Sequence, residues 1–315
     1  MAFLGIDTSN YTTSVALCDK GRIIKDARRL LSVKEGELGL RQSDALFQHW
    51  NNLPELIEET LYDLEGSIEG IVVSVKPRPQ DGSYMPCFTA GQNAAKMLGS
   101  ALDVPVYEFS HQEGHILSAA YENDIDFKKP VICVHISGGT LEIVRVTGGI
   151  IEIIGKTRDI SYGQLLDRTG QMMGFDFPSG KYIDECAMNY LAGGSDDSST
   201  DKGSSTAKQK NPLPKIFAEG SEVNISGIET AVHRIINEYS KEALSYFVLE
   251  RISDSLVKII DAVRTDETVL IGGGVASSRF IQSYCKDKNY RFAKEGLGSD
   301  NAVGLALSEG ERPWQ

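Results

Sequence analysis

The strongest constraint on this chain is a pattern that starts twice. From Phe3 it reads Phe3-Leu4-Gly5-Ile6, a turn at Thr8-Ser9-Asn10, Ser14-Val15-Ala16-Leu17-Cys18, a turn at Asp19-Lys20-Gly21, then Ile23-Ile24. These are three strands, over 3–9, 12–18 and 21–25. Leu46, Trp50, Leu53, Leu56, Ile57 and Leu61, spaced by three and four, then predict a helix over 43–63. Ile71–Val75 reads as a buried strand, Phe88–Leu102 as a small-residue helix and Val104–Tyr107 as the next strand. At Val131 the pattern restarts: Val131–Ile136, a glycine turn, Leu141–Val146, the turn Thr147-Gly148-Gly149, and Ile150–Ile154. Helices follow, including helical sequence near 227–262, and then a strand from Thr268 to Ile271. A unit used twice needs two sheets and two cores, and 315 residues suffice for both.

This order of elements predicts an α/β chain of two actin-like (RNase H-like, ASKHA) domains with a cleft between them. The first spans 1–128 and is completed by a C-terminal helix at about 300–315; the second spans 129–299. Residues 192–211 are small and polar, too poor in apolar surface to order themselves, and are expected to form a mobile insertion.

In such an architecture the turn between the first two strands of each half offers backbone N–H groups to phosphate, and small residues let the anion approach. Thr8 and Ser9 fit that place in the first half, and Ser137-Gly138-Gly139-Thr140 in the second. A third glycine turn, Gly272-Gly273-Gly274 running on to Ser278, follows the strand at 268–271. One such turn alone would be an ordinary hairpin; three together point to a nucleotide. The chain has no Gly-x-x-x-x-Gly-Lys-[Ser/Thr] loop, and Gly272-Gly273-Gly274 does not continue into a dinucleotide fingerprint.

His111 and His115, four residues apart, share one helical face and can meet one cation. Gln112 stands where a zinc protease needs glutamate, and Glu113 lies about 200° around the helix from His111. A proteolytic site is therefore disfavoured. Further ligands are expected at strand or helix ends. His135, just before the glycine turn, is one candidate; Asp300, expected as the N-cap of the terminal helix, is another, with capping alone as its alternative role. His49 and His233 read as ordinary helix histidines. No Ser-His-Asp or Cys-His arrangement follows from the spacing.

The start of the chain lacks a basic region and a cleavage pattern, and no apolar run is long enough to span a membrane. Five scattered cysteines indicate reduced core thiols and a cytoplasmic setting. A net charge of −12 argues against binding nucleic acid unaided. The richest basic sets are Arg22, Lys25, Arg28 and Arg29, with Lys76 and Arg78 elsewhere, and these read more readily as solvated faces than as docking sites.

The chain resembles the universal tRNA threonylcarbamoyladenosine transferase family, also known as the O-sialoglycoprotein endopeptidase or glycoprotease family, over nearly its whole length. The matching segments are Gly5-Ile6-Asp7-Thr8-Ser9, His111-x-x-x-His115 with Glu113-Gly114, Ser137-Gly138-Gly139, Leu166-Asp167-Arg168 and Phe177-Pro178-Ser179-Gly180 with Ile183-Asp184. Ser226 to Val232, Gly273-Gly274-Val275-Ala276 and Ser299-Asp300-Asn301-Ala302 continue the match. The resemblance implies one iron or zinc ion at His111, His115 and Asp300, with His135 at a position that holds a ligand tyrosine in some members. It implies contact of ATP or threonylcarbamoyl-AMP with Ile136, Ser137, Gly138, Gly139, Thr140, Asp167, Gly180, Asp184 and Ser278. The implied reaction joins the carbamoyl carbon to the exocyclic amine of the adenosine 3′ of a tRNA anticodon and releases AMP. The implied partners are tRNA, a small ATPase and family-related proteins.

Tyr11, Thr12, the segment Lys76 to Gly82, Glu229 and Ser278 depart from the family pattern, while the metal trio is kept. Two alternatives follow: a non-catalytic nucleotide- and metal-binding paralogue acting as an interaction subunit, or carbamoyl transfer to another substrate.

Overall fold

A computed structural model describes residues 2–9, 11–33, 40–193 and 209–315. Its elements in chain order begin with β1 (Ala2–Asp7), β2 (Thr12–Asp19), β3 (Arg22–Leu30), α1 (Gln42–Leu61), β4 (Ile68–Lys76), α2 (Phe88–Leu102), β5 (Val106–Ser110) and α3 (His111–Ala120). They continue with β6 (Val131–Ile136), β7 (Leu141–Thr147), β8 (Ile150–Thr157), α4 (Tyr162–Met172), α5 (Gly180–Leu191), β9 (Phe217–Glu219) and β10 (Glu222–Asn224). The last are α6 (Ser226–Ile235), α7 (Lys241–Asp261), β11 (Thr268–Gly272), α8 (Arg279–Tyr284), β12 (Tyr290–Phe292) and α9 (Val303–Leu307). The chain divides into two compact units: Met1–Lys129 with Thr147–Ile151 and Ala293–Gln315, and Pro130–Val146 with Glu152–Phe292.

In the first unit a five-stranded sheet has the order β3-β2-β1-β4-β5. β1 pairs antiparallel with β2 and parallel with β4. Alternate side chains of β1, β2 and β4 (Leu4, Ile6, Val15, Leu17, Ile71 and Val73) pack with Leu53, Leu56 and the alanine face of α2 into one core. Each large side chain buried there contributes roughly 1.5–3 kcal/mol. The opposite side of the sheet meets α9, where Ala16 and Cys18 pack on Ala302, Val303 and Ala306.

The second unit repeats the order. β8-β7-β6-β11-β12 has the sequence of β3-β2-β1-β4-β5, and β10-β9 extends it at the β8 edge. β6 pairs antiparallel with β7 and parallel with β11. Its core joins Ile132, Val134 and Ile136 to Tyr162, Leu166 and Ile183 and to the buried face of α7. The fold is the actin-like (ASKHA) fold.

Three expectations need correction. β5 starts at Val106, later than the sequence suggests, because Val104 and Pro105 serve the preceding turn: Val104 N–H closes onto the Gly99 carbonyl. The C-terminal helix is short, covering Val303–Leu307 alone. Asp300 does not cap it; Asn301 Oδ1 accepts the Val303 N–H at 2.9 Å instead. Asn10 and residues 194–208, the bulk of the expected insertion, lie outside the described residues. Cys18, Cys87, Cys133 and Cys285 are buried and in no disulfide, with burial lifting Cys18 and Cys133 to about 12. Among the described residues no helix is long and apolar enough to cross a membrane.

Candidate metal centre and glycine turns

In the first unit, β5 runs directly into α3, so His111 is the first helical residue. Ser110 caps the helix with Glu113 in a reciprocal box: Ser110 Oγ accepts the Glu113 N–H, and Glu113 Oε2 accepts from Ser110 N–H. Arg312 Nε donates to Glu113 Oε1 at 2.6 Å, with its guanidinium 3.9 Å from the centre of the Phe109 ring. Glu113 thus anchors the helix. The Gln112 N–H donates to the Pro77 carbonyl, fixing the helix start to the segment after β4. One turn on, His115 stands beside His111 with ring centres 4.2 Å apart.

The third member of the group arrives from far along the chain. Ala302 N–H donates to Ser14 Oγ, Arg28 Nη1 donates to Ser299 Oγ, and Asn301 Nδ2 donates to the Leu297 and Ser299 carbonyls. Beyond this pinned segment, α9 approaches α3 so closely that a Cβ on Gly304 would overlap the Gly114 carbonyl. Only glycine permits that approach. It leaves Asp300 Oδ1 3.6 Å from His111 Nε2 and 3.4 Å from His115 Nε2.

These separations fit a cation. Two ligands each ~2.0–2.1 Å from one tetrahedral ion stand roughly 3.3–3.4 Å apart. Among the described residues this is the one cluster of three such side chains able to share an ion, with ligand atoms within 4.8 Å of one another. Burial disfavours charge on His111, but Asp7 and Asp300 outweigh it and raise the imidazole to about 10. Burial and the His111 charge hold His115 below the ordinary histidine range. Burial also opposes charge on Asp300, yet the two imidazoles hold its carboxyl well below the usual range.

Thr8 and Ser9 follow β1 and are buried, with their hydroxyls engaged inside the unit. Thr8 Oγ1 donates to the Cys87 carbonyl at 3.1 Å and accepts from Gly91 N–H, while Ser9 Oγ donates to Asp7. Of the basic residues, Arg28 pairs with Asp26, Arg29 with Glu55, and Lys25 and Lys76 with backbone carbonyls.

The second unit holds His135 and the remaining sites expected from the sequence. His135 is half-buried on β6. The turn after β6 is closed by Ser137 N–H on the Thr140 carbonyl, and Ser161, the N-cap of α4, donates to the Gly138 carbonyl at 2.7 Å. Gly138 and Gly139 are exposed, with open space where a side chain would begin. Gly273, in the left-handed region at φ 100°, passes so near the Ile136 backbone that no side chain fits. The turns after β6 and β11 therefore lie against each other, with Gly274 open beside them. Asp184 accepts from Ser278 Oγ at 2.5 Å and from Phe280 N–H at 3.0 Å, fastening α5 to the start of α8. Asp167 accepts the Ser179 N–H, next to Gly180 at the start of α5, and burial raises its carboxyl.

Residues 35–306 match the family model described as tRNA N6-adenosine threonylcarbamoyltransferase (TsaD). The chain belongs to that family. Similar members include that of Crocosphaera subtropica, 26% identical over 97% of this chain and 90% of the relative, and one from Thermus thermophilus, 27% identical over 99% and 93%. Among solved structures, component A of the Acidaminococcus fermentans (R)-2-hydroxyglutaryl-CoA dehydratase superposes with a TM-score of 0.56 over the whole of both chains, at 12% identity. That likeness concerns the fold.

Sequence reasoning overlooked Asp7 and Gly304. Asp7 was visible as an acid closing a buried apolar strand. Gly304 left no signal, because the carbonyl it must clear belongs to a helix nearly two hundred positions away.

Proposed function

We propose that this protein transfers a threonylcarbamoyl group from threonylcarbamoyl-AMP to the exocyclic amine of the adenosine 3′ of a tRNA anticodon, in the cytoplasm and with partner subunits. The observation that carries the reading is the convergence of His111, His115 and Asp300 in a member of the transferase family. A divalent iron or zinc ion held by these three would supply Lewis-acid polarisation of the threonylcarbamoyl group.

The chain's own residues supply the rest. Gly138, Gly139 and Thr140 offer backbone to the phosphate of the adenylate, while Gly273 and Gly274 give the nucleotide a smooth wall. Asp184 and Ser278 hold α5 and α8 together behind it, and Asp167 with Gly180 flanks the nucleoside. In the reaction the amine nitrogen bonds to the carbamoyl carbon and gives up one proton to solvent, the bond from that carbon to the phosphate oxygen breaks with its electron pair passing to the phosphate, and AMP leaves. With a net charge of −12, and with Arg28 and Arg29 paired to carboxylates, the positive charge that meets tRNA must come largely from partners.

The test is transfer of labelled threonylcarbamoyl to tRNA by the native chain supplied with a family-related partner and a small ATPase, read by mass spectrometry of the nucleosides. His115→Ala should abolish the modified adenosine. Failure of the native chain to modify tRNA under these conditions would refute the proposal.

A further inference from the structure

Asp7 is fully buried at the end of β1, and His111 is its only charged partner among the described residues. Its carboxylate is held on three sides: by Ser9 Oγ from the following turn, by Ser74 Oγ from β4, and by His111 Nδ1 at 3.1 Å from α3. Removing a carboxylate from water is costly, and two serine hydroxyls alone are weak compensation. Held by groups from the β1 turn, β4 and α3, it cannot swing, so the ring that meets it cannot swing either. The other nitrogen of that ring faces Asp300 and His115.

We propose that Asp7 is a positioning residue for the cation site. It accepts the Nδ1–H of His111, thereby fixes the tautomer, and aims Nε2 at the point where His115 and Asp300 converge. Asp7 touches neither the cation nor the substrate; it acts through the ring. A carboxylate behind a ligand histidine also makes the ligand nitrogen more basic, and loss of such a partner lowers metal affinity ~10–100-fold. Ser74 and Ser9 form the next layer, keeping the carboxylate oriented.

The inference rests on the reading of His111, His115 and Asp300 as a cation site, and the experiment separates the two. Zinc affinity is measured by competition with a chromophoric chelator for the full chain, His115→Ala, Asp7→Asn and Ser74→Ala. The protonated nitrogen of His111 is read by ¹⁵N NMR in the zinc-loaded native protein. The expected results are a ~10–100-fold weaker affinity in Asp7→Asn, a smaller loss in Ser74→Ala, and a proton on Nδ1 of His111. If Asp7→Asn does not fold, Ser74→Ala and the NMR signal still decide. Native affinity in both variants, or zinc on Nδ1 of His111, overturns the role of Asp7 while leaving the cation site intact. A native chain that binds zinc no better than His115→Ala overturns the cation site and the Asp7 proposal together.

Discussion

The turns that follow β1 and β6 hold the same place in sheets of the same order, and they are used in opposite ways. After β1 the side chains point inward: Thr8 and Ser9 are buried and hydrogen-bonded, and Asp7 beside them faces His111. After β6 the turn is centred on residues without side chains: Gly138 and Gly139 are exposed, with open space where a Cβ would stand. One turn builds a rigid support for charged side chains, and the other leaves backbone within reach of a ligand. A repeated unit thus fixes where a loop goes but not which chemistry it offers. The offer depends on whether the loop residues have side chains and where those are anchored.

The two turns should differ most in their response to pH. Nε2 of His111 must be free of its proton to bind a cation, and the metal-free imidazole holds that proton up to about 10. Zinc affinity is therefore expected to rise with pH, close to ~10-fold per unit through the neutral range, as the competing proton is lost. Adenine-nucleotide binding at the glycine turns of the second unit, which offer backbone, should not follow that slope. Isothermal titration of zinc and of nucleotide between about pH 6 and 8 reads both; a flat zinc profile would contradict the proton-for-cation exchange.

Paired glycine substitutions sharpen the contrast at a smaller scale. Gly304→Ala forces α9 away from the Gly114 carbonyl, and urea unfolding should show a loss of about 1–3 kcal/mol together with weakened zinc binding. Gly138→Ala meets open space, so its stability should change by less than about 1 kcal/mol while nucleotide affinity falls. Equal stability losses in the two variants would erase the distinction between a packing glycine and an access glycine. The smallest effect is expected at Glu229, one of the residues that depart from the family pattern. It pairs with a half-exposed Arg168 at 2.8 Å. Glu229→Gln should cost under about 1 kcal/mol in the same unfolding assay, because water screens the pair.

Much of the fold was legible because it is written in local period. The three opening strands, the helix Phe88–Leu102 and the strand Val131–Ile136 follow from alternation and from spacings of three and four, and these repeat recognisably after residue 130. The His111–His115 pair was legible for the same reason, since one helical turn brings both rings together. Residues that act across the chain were less so. Ser299-Asp300-Asn301 offers three residues able to cap a helix, and nothing local says that Ala302 takes that place, that Asn301 Oδ1 accepts the Val303 N–H and that Asp300 is left for the imidazoles. Arg312 on Glu113 and Gly304 on Gly114 are likewise set by tertiary approach, on which periodicity is silent.

The distance along the chain between the two imidazoles and Asp300 has a consequence for the order of events in biosynthesis. A nascent polypeptide that has left the ribosome as far as α3 already displays both rings, but it cannot grip an ion with three ligands until the segment pinned by Ser14 and Arg28 has emerged and docked. On the cation-site reading proposed above, three-ligand capture is thereby deferred to the closing stage of assembly, and a chain that stalls before Asp300 carries two of the three ligands.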